Sequence, residues 1–560
     1  MGVDNFFMFA GMIFVCYIET MKRLAIFVEK ITEKEVGLNQ CVLVFLSVLA
    51  IRNFIEQFIA LTSPVTPEES AIELSHNLFF FSLAYLLIWM FISLVLKIKP
   101  QKLAYLITWS FLLMLLPPII DMTRTGGEIY WSFYLLGGPK DLAGYFVSIF
   151  GNLPSGIVYF GTKITFLLAI GLISAFVFLK TKNWTKTVLS GIGTYLILFF
   201  MGAFPSILFF IYSLFSGKLA ISSIQGFHIA QFFGASGKLW GINFESLKYA
   251  FAWKLGIIYF PFLILLLTAL FFLISREKLL ATLRNYRYPQ VVYHSGLFLA
   301  GLGLGILAYP GNFELTLFSV AAVLTLLISV WLAWFASVVV NDIYDFEIDA
   351  ISNPERPLQK GVFEPKEYTE LGITCFLLSL LGGLTLGFPF AVLLLVYQIL
   401  AWFYSAPPFR LKKFPLLATF TSALALLMIF FLGYILAADG QDIHSLSWRI
   451  TLLLLIAYTI SLPIKDFKDI KGDKADGIWT IPVIFGEKKG RLIVAINIFT
   501  SYVLSVFFLN EMKLFFWAVI FGGLTFWVVV SPKTKPRQLF WPVLFLVFVY
   551  GLILVKIVFL

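Results

Sequence analysis

Runs of about 20 apolar residues recur from one end of this chain to the other, and they leave few folds open to it. A helix needs about that many apolar residues to cross a bilayer, and inside lipid its backbone must satisfy its own hydrogen bonds. Of the 560 residues, 60% are apolar and only 13% are charged. The alternating segments of about ten residues that build a membrane β-barrel are absent. The sequence therefore predicts an all-α, polytopic transmembrane protein.

The apolar runs fall into two groups on either side of a basic stretch. The first group predicts a multi-span membrane domain of unknown function over residues 1–275, and the second predicts a further helical domain over residues 291–560. Residues 276–290 form a predicted cytoplasmic linker, which carries Arg276, Lys278, Arg284 and Arg287. About seven spans are predicted in the first domain, at 5–21, 40–62, 78–98, 103–121, 164–180, 187–214 and 250–274. Nine spans are predicted in the second domain, at 291–309, 314–340, 370–386, 390–403, 415–438, 450–464, 492–509, 514–530 and 540–558.

The net charge of +10 comes from lysines and arginines that concentrate in the short loops between spans. Cytoplasmic loops of membrane proteins carry such an excess, so the charge indicates membrane topology and not nucleic-acid binding. With the linker in the cytoplasm, nearly all basic loops of the second domain fall on that side. The expected location is the cytoplasmic (inner) membrane. Three cysteines and four histidines are scattered along the chain, so no zinc or haem site is predicted.

A cluster of aspartates follows the apolar run at 314–340. Asp342, Asp345 and Asp349 have the spacing i, i+3, i+7, which places them on one face of a helix. Three like charges on one face repel each other, so a bare helix gains nothing from them. A divalent cation that bridges them to an anionic substrate would remove the repulsion. The cluster therefore predicts a site for a metal and an anion.

The same spacing recurs at Asp466, Asp469 and Asp473, again after an apolar run, at 450–464. The predicted topology puts both clusters at the cytoplasmic ends of spans, where they can face each other across a bundle. Mg²⁺ is usually held by a few protein carboxylates together with water and phosphate oxygens. The two clusters predict an Mg²⁺–diphosphate site whose substrate has an apolar tail lying in the lipid.

Basic and aromatic residues flank the two clusters. Arg356 can bind phosphate through its planar fork, and Lys360 can neutralise phosphate as a point charge. Tyr404, Arg410 and Lys412 lie in another cytoplasmic segment within reach of a diphosphate. Carboxylates beside cations suit the ionisation of an allylic diphosphate, because the leaving group needs charge stabilisation and the carbocation needs an apolar pocket.

These residues resemble the UbiA-type intramembrane prenyltransferases over about 270 of the 560 residues. The resemblance rests on Asn341-Asp342-x-x-Asp345-x-x-x-Asp349, on Arg356-Pro357 with Gly361, on Tyr404-Ser405-x-Pro407-Pro408, and on Asp466-x-x-Asp469-x-x-Gly472-Asp473. The N-terminal half resembles no family that we recognise.

The resemblance implies a nine-helix bundle around a central cavity and an Mg²⁺-dependent transferase. A polyprenyl group, such as geranylgeranyl, would pass from its diphosphate to a lipophilic acceptor within the bilayer. The aspartates of both motifs would be catalytic and would bind the metal and the diphosphate, with Asn341 in the same pocket. The segment that begins at Tyr404 and the one that begins at Asp466 look most like the branch that contains chlorophyll synthase, homogentisate prenyltransferases and archaeal glycerophospholipid prenyltransferases. Aromatic quinone precursors stay open as acceptors.

A non-enzymatic transporter of a lipid or cation is the alternative of a different class. It would place ionisable residues near the middle of the membrane in both halves, whereas the aspartate clusters lie at span ends. In the first half, Arg52 and Glu56 stand at i, i+4 inside a predicted span. Such a pair marks a functional site or a structural pin between helices.

Overall fold

The computed structural model describes residues 36–56, 67–125, 134–150, 160–217, 219–234, 247–438, 442–475 and 477–560, with isolated residues between 23 and 34. These residues are almost entirely helical, and the described part of the chain contains no β-strand. The chain divides into two compact units, an N-terminal unit up to Arg276 and a C-terminal unit from Glu277 to Leu560. Among the described residues, 13 helices are long and apolar enough to cross a bilayer. The chain is an integral membrane protein.

The N-terminal unit contains nine described α-helices. They are α1 (Leu38–Phe54), α2 (Pro67–Leu96), α3 (Ala104–Ser110), α4 (Leu116–Thr125), α5 (Pro139–Val147), α6 (Phe160–Thr181), α7 (Trp184–Ser216), α8 (Gly226–Gly234) and α9 (Leu247–Ile274). Six of the seven spans predicted here coincide with described helices, one of which, at Pro100–Arg124, combines 3-10 and α-helical turns. The predicted span at 5–21 lies outside the described residues.

The C-terminal unit contains the remaining α-helices. They are α10 (Arg276–Arg284), α11 (Tyr288–Ala308), α12 (Leu317–Tyr344), α13 (Phe346–Ser352), α14 (Pro365–Leu386), α15 (Phe388–Ser405), α16 (Pro415–Ala437), α17 (Trp448–Ser461), α18 (Ile470–Ala475), α19 (Ile481–Leu509), α20 (Leu514–Val530) and α21 (Phe540–Val558). Leaving out the short α10, α13 and α18, each helix matches one of the nine predicted spans. The predicted nine-helix bundle is confirmed.

Small residues let helices of this bundle approach closely. Gly305 in α11 lies so near α16 that a Cβ atom on it would stand 2.5 Å from the carbonyl oxygen of Tyr434. Helix association in lipid depends on such packing, because lipid tails are as apolar as the side chains. Helix α16 is buried along most of its length and packs against α11, α15 and α17.

Candidate functional site

Each aspartate motif is interrupted at its middle aspartate. Helix α12 ends at Tyr344, Asp345 adopts φ −107° and ψ 18°, and α13 begins at the next residue. In the second motif a 3-10 helix, Leu462–Lys468, ends before Asp469, which adopts φ −110° and ψ 10°. The expectation of one continuous helix face for each motif is therefore wrong. At the first break, Asp345 reaches Lys412 and Arg410 in the segment between α15 and α16.

The short helices that carry the two motifs pack against each other. A Cβ atom on Gly472 in α18 would lie 2.9 Å from Cγ2 of Ile348 and would overlap the hydroxyl of Ser352, both in α13. Only a glycine fits at this contact. The structure thus brings the two motifs together at one end of the C-terminal bundle, as the sequence predicted.

Asp342 is fully buried and accepts hydrogen bonds at both carboxylate oxygens. Arg287 and Arg356 donate to Oδ1 at 2.5 and 2.9 Å. Asn285 and the hydroxyl of Tyr368 donate to Oδ2 at 2.7 and 3.0 Å. Four donors occupy the roughly four lone-pair positions of a carboxylate. The side chain therefore holds the α10–α11 junction, α14 and the loop after α13 in place.

Asp345 is neutralised by cations from the segment between α15 and α16. Lys412 forms a close ion pair with its Oδ1, and Arg410 approaches the same oxygen at 3.3 Å. Asn341 donates to its Oδ2 at 2.7 Å and accepts from Arg287 at 3.2 Å. This network connects the first motif to residues that sequence spacing alone could only place on the same side of the membrane.

Asp349 pairs with Arg356, which bridges it to Asp342 through one guanidinium nitrogen. Asn353 also donates to Asp349, at 2.9 Å. Burial lowers the pKa of Arg356 to about 10, aided by the nearby charge of Arg287 and opposed by the aspartates. Arg356 remains a cation at neutral pH and lies where a phosphate oxygen could replace a carboxylate.

The second motif carries carboxylates with far fewer partners. Within the described residues, the carboxylates of Asp466 and Asp473 accept no hydrogen bond and form no ion pair, and the carboxylate of Asp469 approaches Lys468 at 3.7 Å. Burial, together with the negative charges of Asp466 and Asp469, raises the pKa of Asp473 to about 8, and the cation of Lys412 opposes this rise only in part. This side of the site is therefore an arrangement of carboxylates that a cation would stabilise.

Tyr404, near the end of α15, meets the second motif through Lys465. The Lys465 ammonium donates to the Tyr404 hydroxyl at 3.2 Å and stands 4.7 Å from the centre of its ring. It also donates to Ser422 of α16 at 3.4 Å. In the sequence, Lys465 is one of several lysines in a basic loop and nothing distinguishes it from the others.

Most predicted substrate-binding residues reach the site, and one does not. Lys360 is exposed, and within the described residues its side chain forms no hydrogen bond or ion pair. Sequence reasoning missed Asn285, Tyr368 and Lys465 and assigned Arg287 only to the linker. In the sequence these are ordinary polar residues near predicted membrane interfaces, and such residues are too common there for the sequence to single them out.

No three carboxylate, imidazole or thiol groups surround a common point suitable for a metal ion in the described part of the chain. The carboxylates of the first motif form ion pairs with arginine and lysine side chains, so they do not gather around a common point. Mg²⁺ commonly uses one or two protein carboxylates and takes its other ligands from water and phosphate. The donor set of the second motif fits such a cation.

The profile of the UbiA prenyltransferase family matches residues 296–555 of this chain. Digeranylgeranylglyceryl phosphate synthase of Methanosphaera stadtmanae is 29% identical over 204 residues, which are 36% of this chain and 70% of that protein. The enzyme of the same name from Sulfolobus acidocaldarius is 32% identical over 29% of this chain and 58% of its own length. Chloroplastic chlorophyll synthase of Avena sativa is 31% identical over 33% of this chain, and the match spans half of its own length.

Among solved structures, a UbiA homologue from Archaeoglobus fulgidus bound to DMAPP and Mg²⁺ aligns over 49% of this chain and 99% of its own. The identity is 19% and the TM-score is 0.38. All of these matches fall short of the full chain, since none of them covers more than about half of its residues.

Proposed function

Since the C-terminal half of this chain belongs to the UbiA prenyltransferase family, we propose that it transfers a polyprenyl group from its diphosphate to a lipophilic acceptor within the membrane. The observation that carries the proposal is the contact between the two aspartate motifs at Gly472 and Ile348. Cations of Arg356 and Lys412 stand beside that contact. A diphosphate substrate requires carboxylates that hold Mg²⁺ and cations that contact its phosphate oxygens, and here the two lie close together.

Arg356, Arg410 and Lys412 bind the diphosphate in this proposal. In the structure these side chains hold Asp345 and Asp349. Phosphate oxygens are equally good acceptors for the same donors, and a guanidinium can bind two of them at once. The three cations also offset the charge that develops on the leaving diphosphate, which is where preorganised donors accelerate a reaction most.

Asp466, Asp469 and Asp473, with Asp345 and Asp349 opposite, would hold Mg²⁺. Among the described residues, the second-motif carboxylates accept no hydrogen bond, and burial together with the charges of Asp466 and Asp469 raises the pKa of Asp473. When bound, Mg²⁺ supplies Lewis-acid stabilisation of the diphosphate oxygens.

Asp342 has a different role, because both of its oxygens are already used. Its donors include Arg287 and Arg356, so it orients two cations of the site. Ligation of a metal by Asp342 would require at least one of four hydrogen bonds to break. We therefore assign it to positioning of the phosphate-binding arginines.

With a lipid hydroxyl as the acceptor, the reaction exchanges one carbon–oxygen bond for another. The bond between C1 of the prenyl group and the diphosphate breaks, the electron pair leaves with the diphosphate, and C1 bonds to a nucleophilic atom of the acceptor. An acceptor hydroxyl loses its proton in the process. Apolar helices around the site exclude water, which would otherwise capture the carbocation.

The acceptor is a membrane lipid of the glycerophospholipid type. A chlorophyllide- or homogentisate-type acceptor is the second candidate. The digeranylgeranylglyceryl phosphate synthases support this choice, because their names describe a phosphorylated glyceryl lipid with two prenyl groups. The transferred group is geranylgeranyl by the same reasoning.

Catalysis resides in residues 291–560, in the cytoplasmic half of the inner membrane, and residues 1–275 contribute no catalytic group. The basic loops on the side of the aspartate motifs support this orientation. Residues 276–290 connect the two domains and supply Asn285 and Arg287 to the network around Asp342.

Transfer of radiolabelled geranylgeranyl diphosphate by the purified chain tests the proposal. With Mg²⁺ and geranylgeranylglyceryl phosphate, label is expected in the lipid product, and Asp345→Ala and Asp469→Ala should abolish it. Asp442→Ala is the control, because Asp442 is exposed and distant in sequence from both motifs. Failure to bind the diphosphate in the presence of Mg²⁺ would overturn the assignment of the site.

A further inference from the structure

Lys465 carries a positive charge that no ion pair neutralises within the described residues. Five other cations around the motifs are each paired with an aspartate, whereas Lys360, Lys471 and Lys474 are exposed. The paired cations are Arg287, Arg356, Arg410, Lys412 and Lys468. Asp466 and Asp473 act on Lys465 electrostatically but do not reach ion-pair distance. The ammonium instead contacts two neutral hydroxyls, those of Tyr404 and Ser422.

Lys465 and Tyr404 each have one hydrogen-bond donor that no described residue accepts. An ammonium has three N–H groups, and Lys465 spends one on Tyr404 and one on Ser422. Ser422 donates its own proton to the carbonyl of Ala418 at 3.0 Å, so it only accepts from Lys465. Tyr404 accepts from Lys465, and its O–H hydrogen has no acceptor among the described residues. The third N–H of Lys465 and the phenol O–H of Tyr404 are therefore available to a ligand with acceptor oxygens.

The pair is enclosed by helices but accessible. Tyr404, Ser422 and Lys465 are each half-buried, and they come from α15, α16 and the segment after α17. A charged group among membrane helices that keeps unused donors is costly unless it serves a ligand. One positive charge and two donors suit one anionic group.

We propose that Lys465 and Tyr404 bind the head-group phosphate of the acceptor lipid. The inference rests on the proposed function and adds a substrate class to it: a lipid with a phosphomonoester is preferred over the same lipid with a free hydroxyl. Lys465 supplies the charge and one N–H donor, and Tyr404 supplies the phenol donor. Ser422 fixes the ammonium by accepting its second hydrogen bond.

The prenyl diphosphate is the competing ligand, and the distribution of cations argues against it. The cations that suit the diphosphate gather on the first motif, where Lys412 and Arg356 hold Asp345 and Asp349. Lys465 contacts none of these groups. A separate anion site on the second motif allows two anionic substrates to bind side by side without sharing the same donors.

The experiment compares two acceptors, geranylgeranylglyceryl phosphate and geranylgeranylglycerol, which differ only in the phosphate. Lys465→Met in the full-length protein is expected to raise KM for the phosphate lipid about 10- to 100-fold, the range for loss of a charge-assisted hydrogen bond. The KM for geranylgeranyl diphosphate should stay unchanged, and the preference for phosphate over alcohol should collapse. Tyr404→Phe should give a smaller loss of the same kind.

Lys474→Met is the matched control, because Lys474 is an exposed lysine of the same segment and should leave both KM values unchanged. Thermal unfolding of each variant separates loss of folding from loss of binding, and Tyr404→Phe preserves the packing of the ring. A rise in KM for the diphosphate, with an intact preference for the phosphate lipid, would overturn the proposal.

Direct binding of the same two lipids separates this inference from the proposed function. If the wild-type protein binds the phosphate lipid more tightly than the alcohol, and Lys465→Met removes the difference, the subsite stands even when no transfer occurs. If transfer occurs but Lys465→Met affects both lipids equally, the transferase stands and the subsite does not.

Discussion

Asp345 and Asp469 adopt nearly the same backbone conformation, φ −107°, ψ 18° and φ −110°, ψ 10°, at the centres of two separate motifs. Their surroundings differ. Asp345 is neutralised by Lys412 and Arg410, whereas Asp469 has only the more distant Lys468 within the described residues. Similar local geometry thus serves one carboxylate that is paired with cations and one that is open to a metal. This asymmetry leads to the first two predictions.

Removal of Asp342 should destabilise the fold, whereas removal of Asp466 should not. Asp342→Ala leaves Arg287 and Arg356 without the carboxylate they share, and breaking a buried ion pair of this kind costs about 3–5 kcal/mol. Asp466→Ala removes no side-chain hydrogen bond and no ion pair, and it takes a carboxylate out of a partly buried position. We expect a lower unfolding temperature only for Asp342→Ala, although both variants lose transfer. Equal unfolding temperatures would contradict the positioning role of Asp342.

Replacement of Arg356 by lysine should impair transfer far more than removal of Lys360. Arg356 contacts both Asp342 and Asp349, and a lysine lacks the planar fork that can bind two phosphate oxygens at once. We expect Arg356→Lys to reduce kcat about 100-fold, as for loss of a preorganised donor. Lys360→Ala should change kcat and KM by less than about twofold, because exposed charges contribute little. Steady-state kinetics with varied diphosphate distinguishes the two, and a large effect of Lys360→Ala would restore its predicted role.

Gly472→Ala should separate the two motifs. The new methyl group would overlap the hydroxyl of Ser352 and lie 2.9 Å from Ile348, so α13 and α18 must move apart. We expect transfer to fall with little change in the unfolding temperature, because these short helices contribute little to the bundle core. Ser352→Ala in the same protein should restore part of the activity by removing the overlapping hydroxyl. Gly296→Ala serves as the control, since nothing lies within 4 Å of a Cβ there.

In the N-terminal unit, the pair of Arg52 and Glu56 should prove to be a structural pin. Arg52 donates to Glu56 at 2.5 Å and to the carbonyl of Met114 at 2.6 Å, and it stands 4.9 Å from the ring of Phe81. Arg52→Ala removes the cation that is paired with the buried Glu56 carboxylate and should cost about 3–5 kcal/mol of stability. The double variant with Glu56→Ala should recover part of that loss.

Transfer activity per folded molecule is the measurement that decides the role of this pair. Activity should be unchanged in both variants, because Arg52 and Glu56 lie in the N-terminal unit, to which we assign no catalytic group. A loss of transfer in a variant that still folds would instead indicate a functional site at this pair.

The apolar periodicity was sufficient to predict the class of fold and the nine helices of the C-terminal unit. Length and hydrophobicity determine whether a segment can cross a bilayer, and both are local properties of the chain. The spacing of the six aspartates, with their positions at the ends of spans, also predicted that two clusters would meet. These inferences needed no knowledge of which helix packs against which.

The partners of each aspartate were decided only by tertiary structure. Asp342 and Asp349 look alike in sequence, yet one accepts from four donors and the other binds mainly Arg356. Lys465 lies beside an aspartate in the sequence but contacts Tyr404, a residue 61 positions earlier. The sequence specifies which side chains are charged. Packing determines which opposite charges lie next to each carboxylate, and therefore which carboxylates remain available to bind a metal.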